Sequence, residues 1–435
     1  MEIFHGGGFS RAHGLMSQTL IFKARFQGPG FSMSAKYPSP RQRDARLADR
    51  NKLKMARSAH AYVRGNTIQF YEWLEAAAGT LPEGPPVWIC GDCHVGNIGP
   101  VADADGHVDI QIRDMDQTVV GNPAHDLVRL AVSLAMAARG SDLPGITTAR
   151  MVEHLIIGYE EALTAKAGHP KKRSAKQRPE PIDRIMRRAM KRKWKHLAAE
   201  RIEGVEPNIP LSKKCWPITS AERRELKALM ATEEIRELVT RHKERGDNDP
   251  VAMLDAAYWV KGCSSLGYLR YAVLLRVGKS EDPESSLCLI DVKEALKAAA
   301  PRSRTARMPR DNAQRVVEGA LHLSPHLGNR MLPARIQGKS VFVRELLPQD
   351  LKLDIERLSQ EEAQEVAAYL GNVVGRSHAA QMDADERQRW LRELNKNRPQ
   401  TIEAPSWLWR SVVELVQAHE GGYLEHCRRF ANVAT

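Results

Sequence analysis

The segment Cys90-Gly91-Asp92-Cys93-His94-Val95-Gly96-Asn97 follows a short apolar run, Val87-Trp88-Ile89, and Ile112-Arg113-Asp114-Met115-Asp116 closes a second run one hairpin later. If both runs are strands, three acid or amide groups, Asp92, Asn97 and Asp114, meet at strand ends. Phosphoryl transfer asks for such a set: one carboxylate to take the proton of an attacking hydroxyl, and oxygen ligands that hold Mg²⁺ on the phosphates. In that chemistry Asp92 is the base, and Asn97 and Asp114 are metal ligands. The spacing alone is weak, because an Asp and an Asn five residues apart also build Asx turns. The same segment spells Cys-x-x-Cys-His, which fits haem attachment, a redox dithiol or half a zinc site. Haem attachment is expected after export, and no second Cys-x-x-Cys completes a four-cysteine zinc site, so Cys90 and Cys93 are expected to be small neighbours of Asp92.

A second cluster is Lys261-Gly262-Cys263-Ser264-Ser265-Leu266-Gly267-Tyr268, followed by two strand-like runs, Leu269–Leu275 and Ser286–Val292, and then Lys293-Glu294-Ala295. A turn of small residues exposes backbone N–H groups to phosphates, and a Lys at the end of a neighbouring strand adds a point charge. Gly262, Ser264, Ser265, Gly267 and Lys293 are therefore candidate nucleotide-binding residues, in the layout of a kinase small lobe. Glu318, in the helical run Asp311–Leu323, is expected to orient Lys293 as an ion pair. The strand Ser340–Leu346, which carries Arg344 as a further nucleotide-binding candidate, is expected to feed a hinge that holds adenine. Taken singly, Gly262 and Gly267 read equally as hairpin glycines and Glu318 as a solvated helix charge; their order is what links them.

These residues need elements to position them. Residues 36–78 read as helix to Gly65 and again from Phe70, with Leu53, Ala56, Ala59 and Tyr62 on one stripe. Asp103–Gly106 is a hairpin signal before a strand at Val108–Ile112. Leu127–Ala138 is an apolar helix, 145–245 is helix-rich around a Pro207–Pro217 loop, and Ser359–Gln381 is a long amphipathic helix. The expected organisation is a disordered leader over 1–35 with Met33 as an alternative start, a helix-rich large lobe over 36–250 carrying the catalytic loop, a β-rich nucleotide lobe over 251–350, and a helical completion of the large lobe over 351–435.

With 435 residues, 42% hydrophobic and 27% charged, the chain fits a multi-lobed globular protein. No run nears the roughly 18 apolar residues of a membrane span. Six cysteines without regular spacing and no export signal point to free thiols in the cytoplasm. The formal charge is +12, and Lys171–Lys195 holds twelve Lys/Arg against Glu180 and Asp183. Such a patch reads as a solvated basic face or as a grip on nucleic acid, anionic lipid or an acidic substrate.

The ordered motifs carry a resemblance. Lys54-Met55, Tyr62-Val63-Arg64-Gly65, the Cys90–Gly99 loop, Arg113-Asp114-Met115-Asp116, Asn122–Leu130, Val292-Lys293-Glu294-Ala295, Leu370-Gly371-Asn372 and Arg376-Ser377-His378-Ala379 together resemble the bacterial family called domain of unknown function 2252. The match covers roughly 40–425 and departs from the family pattern at Arg113 and Ile98. The catalytic segment also resembles the His-Gly-Asp-x-His-x-x-Asn segment of aminoglycoside and choline kinases, with Cys90 in place of the first His. That resemblance implies Asp92 as base with His94 in its loop, Asn97 and Asp114 on Mg²⁺ helped by Asp116, Asp126 bracing the loop from a helix N-terminus, and ATP as cofactor. The implied fold is α+β, two-lobed and protein-kinase-like, with helical insertions. Because the catalytic loop precedes the Lys by about two hundred positions, the reverse of kinase order, a circular permutation is implied. The implied activity is phosphoryl transfer to an unknown hydroxyl acceptor on a small molecule or protein; AMP transfer, a nucleotide-binding pseudokinase, and nucleic-acid binding through 171–195 are the alternatives.

Overall fold

The structure is a computed structural model that describes residues 37–430 apart from 78, 141–142, 165–177, 202–206, 243–244, 263–265, 281–285, 354–357, 397 and 399–403. The expected leader, Ser264, Ser265 and the Lys171–Gln177 part of the basic segment lie outside the described residues.

The helical entry is cut into three by its caps. Pro40 and the Ser39/Gln42 capping box start α1 (Pro40–Met55), Ser58 accepts from Ala61 N to start α2 (Ala59–Gly65), and Asn66 accepts from Gln69 N to start α3 (Thr67–Ala76). Leu53, expected on the buried stripe, is 38% exposed; α1 buries Arg43 and Leu47 instead. Tyr62 and Ala59 of the same stripe do pack on the core, and Arg43 is held by Glu222, an ion pair that sequence spacing does not announce.

β1 (Val87–Ile89) enters the Cys90 loop. β2 (Ile98–Ala102) and β3 (Val108–Ile112) form a hairpin at the expected turn, where Asp103 Oδ1 accepts from the backbone of Asp105 and His107. β1 pairs not with β3 but with β4 (Val119–Gly121). β2 and β4 escape sequence reading because they are short and carry Gly99, Pro100 and Gly121. The chain continues through α4 (Ala124–Arg139), α5 (Gly145–Leu163), α6 (Glu180–Met190), α7 (Trp194–Arg201), β5 (Cys215–Trp216), α8 (Ser220–Met230) and α9 (Glu233–Thr240).

The second half builds a sheet from β6 (Val251–Trp259), β7 (Arg270–Val277), β8 (Leu287–Glu294), β9 (Met331–Ile336) and β10 (Lys339–Leu346), with α10 (Asn312–Leu323) and a short α11 (Pro325–Gly328) between β8 and β9. With β5 it is antiparallel throughout, in the order β5-β6-β7-β8-β10-β9. α12 (Gln360–Ala379), α13 (Ala384–Leu394) and α14 (Ser406–Phe430) complete the mixed α+β fold.

α5 and α12 touch backbone to backbone. A Cβ built on Gly158 falls on the Ala368 carbonyl, and one built on Gly371 falls on the Leu155 carbonyl. Side chains have no room at these positions, so Gly371→Ala must push the helices apart. We expect a loss of about 1–3 kcal/mol or more, read as a lowered denaturation midpoint; an unchanged midpoint would show that the helices yield freely.

Candidate active site

The Cys90–Asn97 loop is set by direct partners on α3 and α4. Gly91 takes φ +73°, and a Cβ there would collide with the Gln117 carbonyl, so only glycine makes this turn. Its carbonyl accepts from the Tyr71 hydroxyl of α3. Asp126, fully buried in the first turn of α4, accepts from Cys90 N at 2.7 Å and Gly91 N at 2.9 Å. The N-terminal end of α4 favours that carboxylate.

A relay holds Asp126 from behind. Trp390 Nε1 donates to the Tyr159 hydroxyl at 3.0 Å, Tyr159 meets His378 Nδ1 at 3.0 Å, and His378 Nε2 meets Asp126 Oδ2 at 3.3 Å. Because an indole N–H only donates, the Tyr159 proton goes to Nδ1 and His378 Nε2 carries the proton that Asp126 accepts. α5, α12 and α13 thus lock the loop through α4, which explains why the two packing helices carry glycines.

Asp92 is buried, and its Oδ1 accepts from Arg129 Nε at 2.8 Å. Arg129 is wholly buried, donates also to Val63 O, and lies over the Phe70 ring. Asp92 Oδ2 faces His94 Nε2 at 3.9 Å. Burial, then the charges of Arg64 and Arg129, push His94 well below the ordinary imidazole range and leave it neutral. Asn97 Nδ2 donates to Asp92 O at 3.0 Å, leaving its side-chain oxygen for a ligand, and Asn97 O accepts from Arg113 N at 2.7 Å. That bond ties the loop to the Asp114 segment.

Charged residues on one sheet face meet this pair of segments. Arg270 of β7, Asp291 and Lys293 of β8 and Arg344 of β10 are register neighbours. Asp291 accepts from Arg270 Nε at 2.8 Å and from Arg344 Nη2 at 3.0 Å, and Arg344 Nη1 donates to Arg113 O. Lys293 Nζ pairs with Asp116 and lies 3.6 Å from Asp114 Oδ1. Desolvation works against ionising Asp114, but Lys293, Arg344 and Arg270 outweigh it and hold Asp114 well below the usual carboxylate range. Burial and the Asp114 charge push Asp116 up to about 6 despite Lys293.

Asp92, His94, Asn97, Asp114, Asp116, Lys293 and Arg344 are therefore brought together, with Asp126 behind them. Gly262 and Gly267 flank the β6–β7 connection with φ +109° and +107°, and Lys54 Nζ donates to Gly262 O at 2.5 Å. Glu318 is not brought in: it is exposed, and the face of α10 turned inward presents Arg315, which donates to the carbonyls of Asp116, Thr118 and Leu296. The expected Lys293–Glu318 pair is replaced by Lys293–Asp116. Arg129, Arg270, Asp291 and Arg315 were missed, although each is a charge inside an otherwise apolar stretch and so had to find a buried partner.

Cys90 and Cys93 are fully buried. Hydrogen bonding to Cys93 and burial push the Cys90 thiol well up, away from the thiolate that metal or redox chemistry needs. Among the described residues the single acid-imidazole group within metal-binding spacing is Asp103, Asp105 and His107 at the exposed β2–β3 turn.

Two cavities flank the site. One of about 90 Å³ lies beside Arg344, Leu346, Leu347 and Pro348, closed by Arg192 and by Leu197 of α7. The other, of about 1000 Å³, opens beside Asp116.

Three histidines, His94 and His419 buried and His125 half-buried, set a pH limit on this core. Burial lowers His94 well below its usual value, His125 to about 4 and His419 to about 3. The unfolded chain binds protons at these positions below about pH 6.5 and the folded chain does not, so stability falls as pH drops through that window. Each neutral histidine adds about 1.4 kcal/mol per pH unit. A thermal midpoint that declines steeply between pH 6.5 and 5 is expected; a flat profile would mean that these rings are protonated in the fold.

The fold and site define a mixed α+β protein with an acid-amide loop facing a lysine-bearing antiparallel sheet. The chain belongs to the family described as an uncharacterized protein conserved in bacteria, domain of unknown function 2252, which it matches over residues 43–429. No curated protein and no solved structure matches it. Among the described residues no helix is long and apolar enough to cross a membrane.

Proposed function

We propose that the protein is an ATP- and Mg²⁺-dependent phosphotransferase with a circularly permuted, two-lobed kinase-like fold. One observation carries the reading: Lys293 Nζ, two hundred positions beyond the acid loop, lies 3.6 Å from Asp114 Oδ1. Kinases put a glycine-rich turn between two strands, a Lys on the third and a helix after it. Here Gly262 and Gly267 stand between β6 and β7, Lys293 is on β8, and α10 follows.

The permutation is supported where a break would be healed in ordinary order. Just past the end of α12, Gln381 accepts from Trp88 N at 2.8 Å and donates to Trp88 O at 3.1 Å. The long helix thus ends against the strand that enters the catalytic loop, the junction that an unpermuted chain would cross directly.

The oxygen set suits Mg²⁺. Asp114 is ionised and 44% exposed, Asn97 has a side-chain oxygen to give, and Asp116 Oδ1 is buried without a hydrogen-bond partner. Asn97 and Asp114 would hold the ion, with Asp116 beside them; when bound, it supplies positive charge for the phosphates. Lys293 and the turn N–H groups orient the phosphates, and Arg344 and Arg270 keep Asp291 and the strand ends in place. Asp92 Oδ2 takes the proton of the acceptor hydroxyl while Arg129 holds Oδ1. The base end is narrow: about 90 Å³ beside the Leu346–Pro348 hinge is far below the roughly 300 Å³ of ordinary ligand pockets. Adenine entry in this reading displaces Leu197 of α7.

The nucleic-acid reading has less to stand on. Within the described part of the basic segment, Arg184 and Arg187 are already paired with Glu180, and Arg187 also with Asp183. Incubation with ATP and Mg²⁺ and identification of the product tests the proposal. With a panel of hydroxyl compounds added to accept the γ-phosphoryl group, release of ADP with phosphorylation of one of them is expected; pyrophosphate would assign AMP transfer, and neither product across the panel with retained ATP binding would assign a pseudokinase.

A further inference from the structure

The cavity of about 1000 Å³ beside Asp116 has an unbalanced lining. Its charged residues are Lys297, Arg302, Arg310 and Arg315 against Asp116 and Glu294. Both carboxylates are already engaged, Asp116 with Lys293 and Glu294 with Lys339 at 2.9 Å. Among the described residues, neither Lys297 nor Arg302 nor Arg310 has a carboxylate within ion-pair distance. Arg302 and Arg310 stand on the cavity wall at the two ends of a stretch that also carries Arg304 and Arg307, with no acid between Lys297 and Arg310.

Arg315 is the second observation. It is 3% exposed, its Nη groups reach only backbone carbonyls, and its Nε is buried without a partner. A buried cation without its own counter-ion is costly, and an anion in the adjoining space relieves that cost. Ile68 and Tyr268, 63% and 41% exposed, add apolar surface to the same lining. A binding space of this size with a few convergent charges and an apolar wall is typical of small-ligand sites.

We propose that this cavity binds a small molecule bearing a phosphate or carboxylate, held by Arg302, Arg310 and Arg315; calling that molecule the hydroxyl acceptor rests on the phosphotransfer reading. The site lies beside Asp116, so an acceptor anchored by its anionic end would present a hydroxyl toward Asp92 and Asp114.

Calorimetric titration of the full chain with glycerol phosphate, inorganic phosphate and citrate tests the site without nucleotide. Saturable one-to-one binding is expected for at least one probe, weakened at least tenfold in R302E/R310E and partly in R302Q/R310Q; both residues are exposed, so the fold should survive. Binding of glycerol phosphate alone assigns a phosphorylated occupant, and binding of citrate alone a polycarboxylate. No saturable binding, binding untouched by the double reversal, ATP affinity falling in parallel with it, or displacement of the probe by a tighter-binding single-stranded oligonucleotide would overturn the proposal. If the anion binds as expected while the wild type neither binds nor turns over ATP, the phosphotransfer reading fails and the cavity assignment stands.

Discussion

Asp92→Asn is expected to lower phosphoryl transfer by about 10²–10⁴-fold, the range for loss of a positioned general base. The substitution keeps the side-chain shape, and its oxygen can still accept from Arg129 Nε, but Oδ2, the oxygen left for the acceptor proton, becomes a donor. Arg129 is wholly buried beneath Asp92, and removing its counter-charge costs stability as well, about 3–5 kcal/mol for a broken buried pair. Rate and fold must therefore be read together, by turnover at a temperature where circular dichroism shows the variant folded. The informative outcome is a folded variant with retained ATP affinity and collapsed turnover. A folded variant that turns over at wild-type rate would remove Asp92 from the chemistry.

Asp126→Ala should have the largest effect on the fold at the site. Asp126 is a positioning residue: it takes two backbone N–H groups of the Cys90–Asn97 loop and the His378 ring, all of them buried. Leaving a buried donor unpaired costs about 1–3 kcal/mol, so three such losses approach the whole 5–15 kcal/mol stability of a typical domain. A drop of at least 3 kcal/mol in denaturant unfolding is expected, with fast hydrogen exchange at Cys90 and Gly91 even where the rest of the chain stays protected. Tyr159→Phe gives a graded control, since it removes only the hydroxyl that fixes His378. A change below 1 kcal/mol for Asp126→Ala would show that the loop is held by something else.

Much of this site was legible because its chemistry-bearing residues sit in short, ordered motifs next to strands and caps. Asp92, Asn97, Asp114 and Lys293 could be named from spacing, Asp126 from the resemblance to aminoglycoside and choline kinases, and α4, α10, α12 and the β7–β8 hairpin from periodicity. What escaped depends on contacts between distant segments. Glu318 looked like the partner of Lys293 because it lies on the following helix, but the helix turns Arg315 inward, and rotation about a helix axis is decided by packing. β1 has too few residues to declare its partner, so its pairing with β4 could not be read. Arg302 and Arg310 lie in a run less densely basic than 171–195, yet they line the larger cavity, because burial and cavity walls are properties of the fold and not of local charge density.

A lysine and an acid loop two hundred residues apart are proposed to share one Mg²⁺–nucleotide. The most direct measurement is ATP binding by calorimetry with and without Mg²⁺, in the wild type, Lys293→Ala and Asp114→Asn. Saturable binding that Mg²⁺ strengthens is expected, with affinity at least tenfold weaker in Lys293→Ala and loss of the Mg²⁺ effect in Asp114→Asn. Absence of ATP binding, or binding that neither substitution changes, would contradict it.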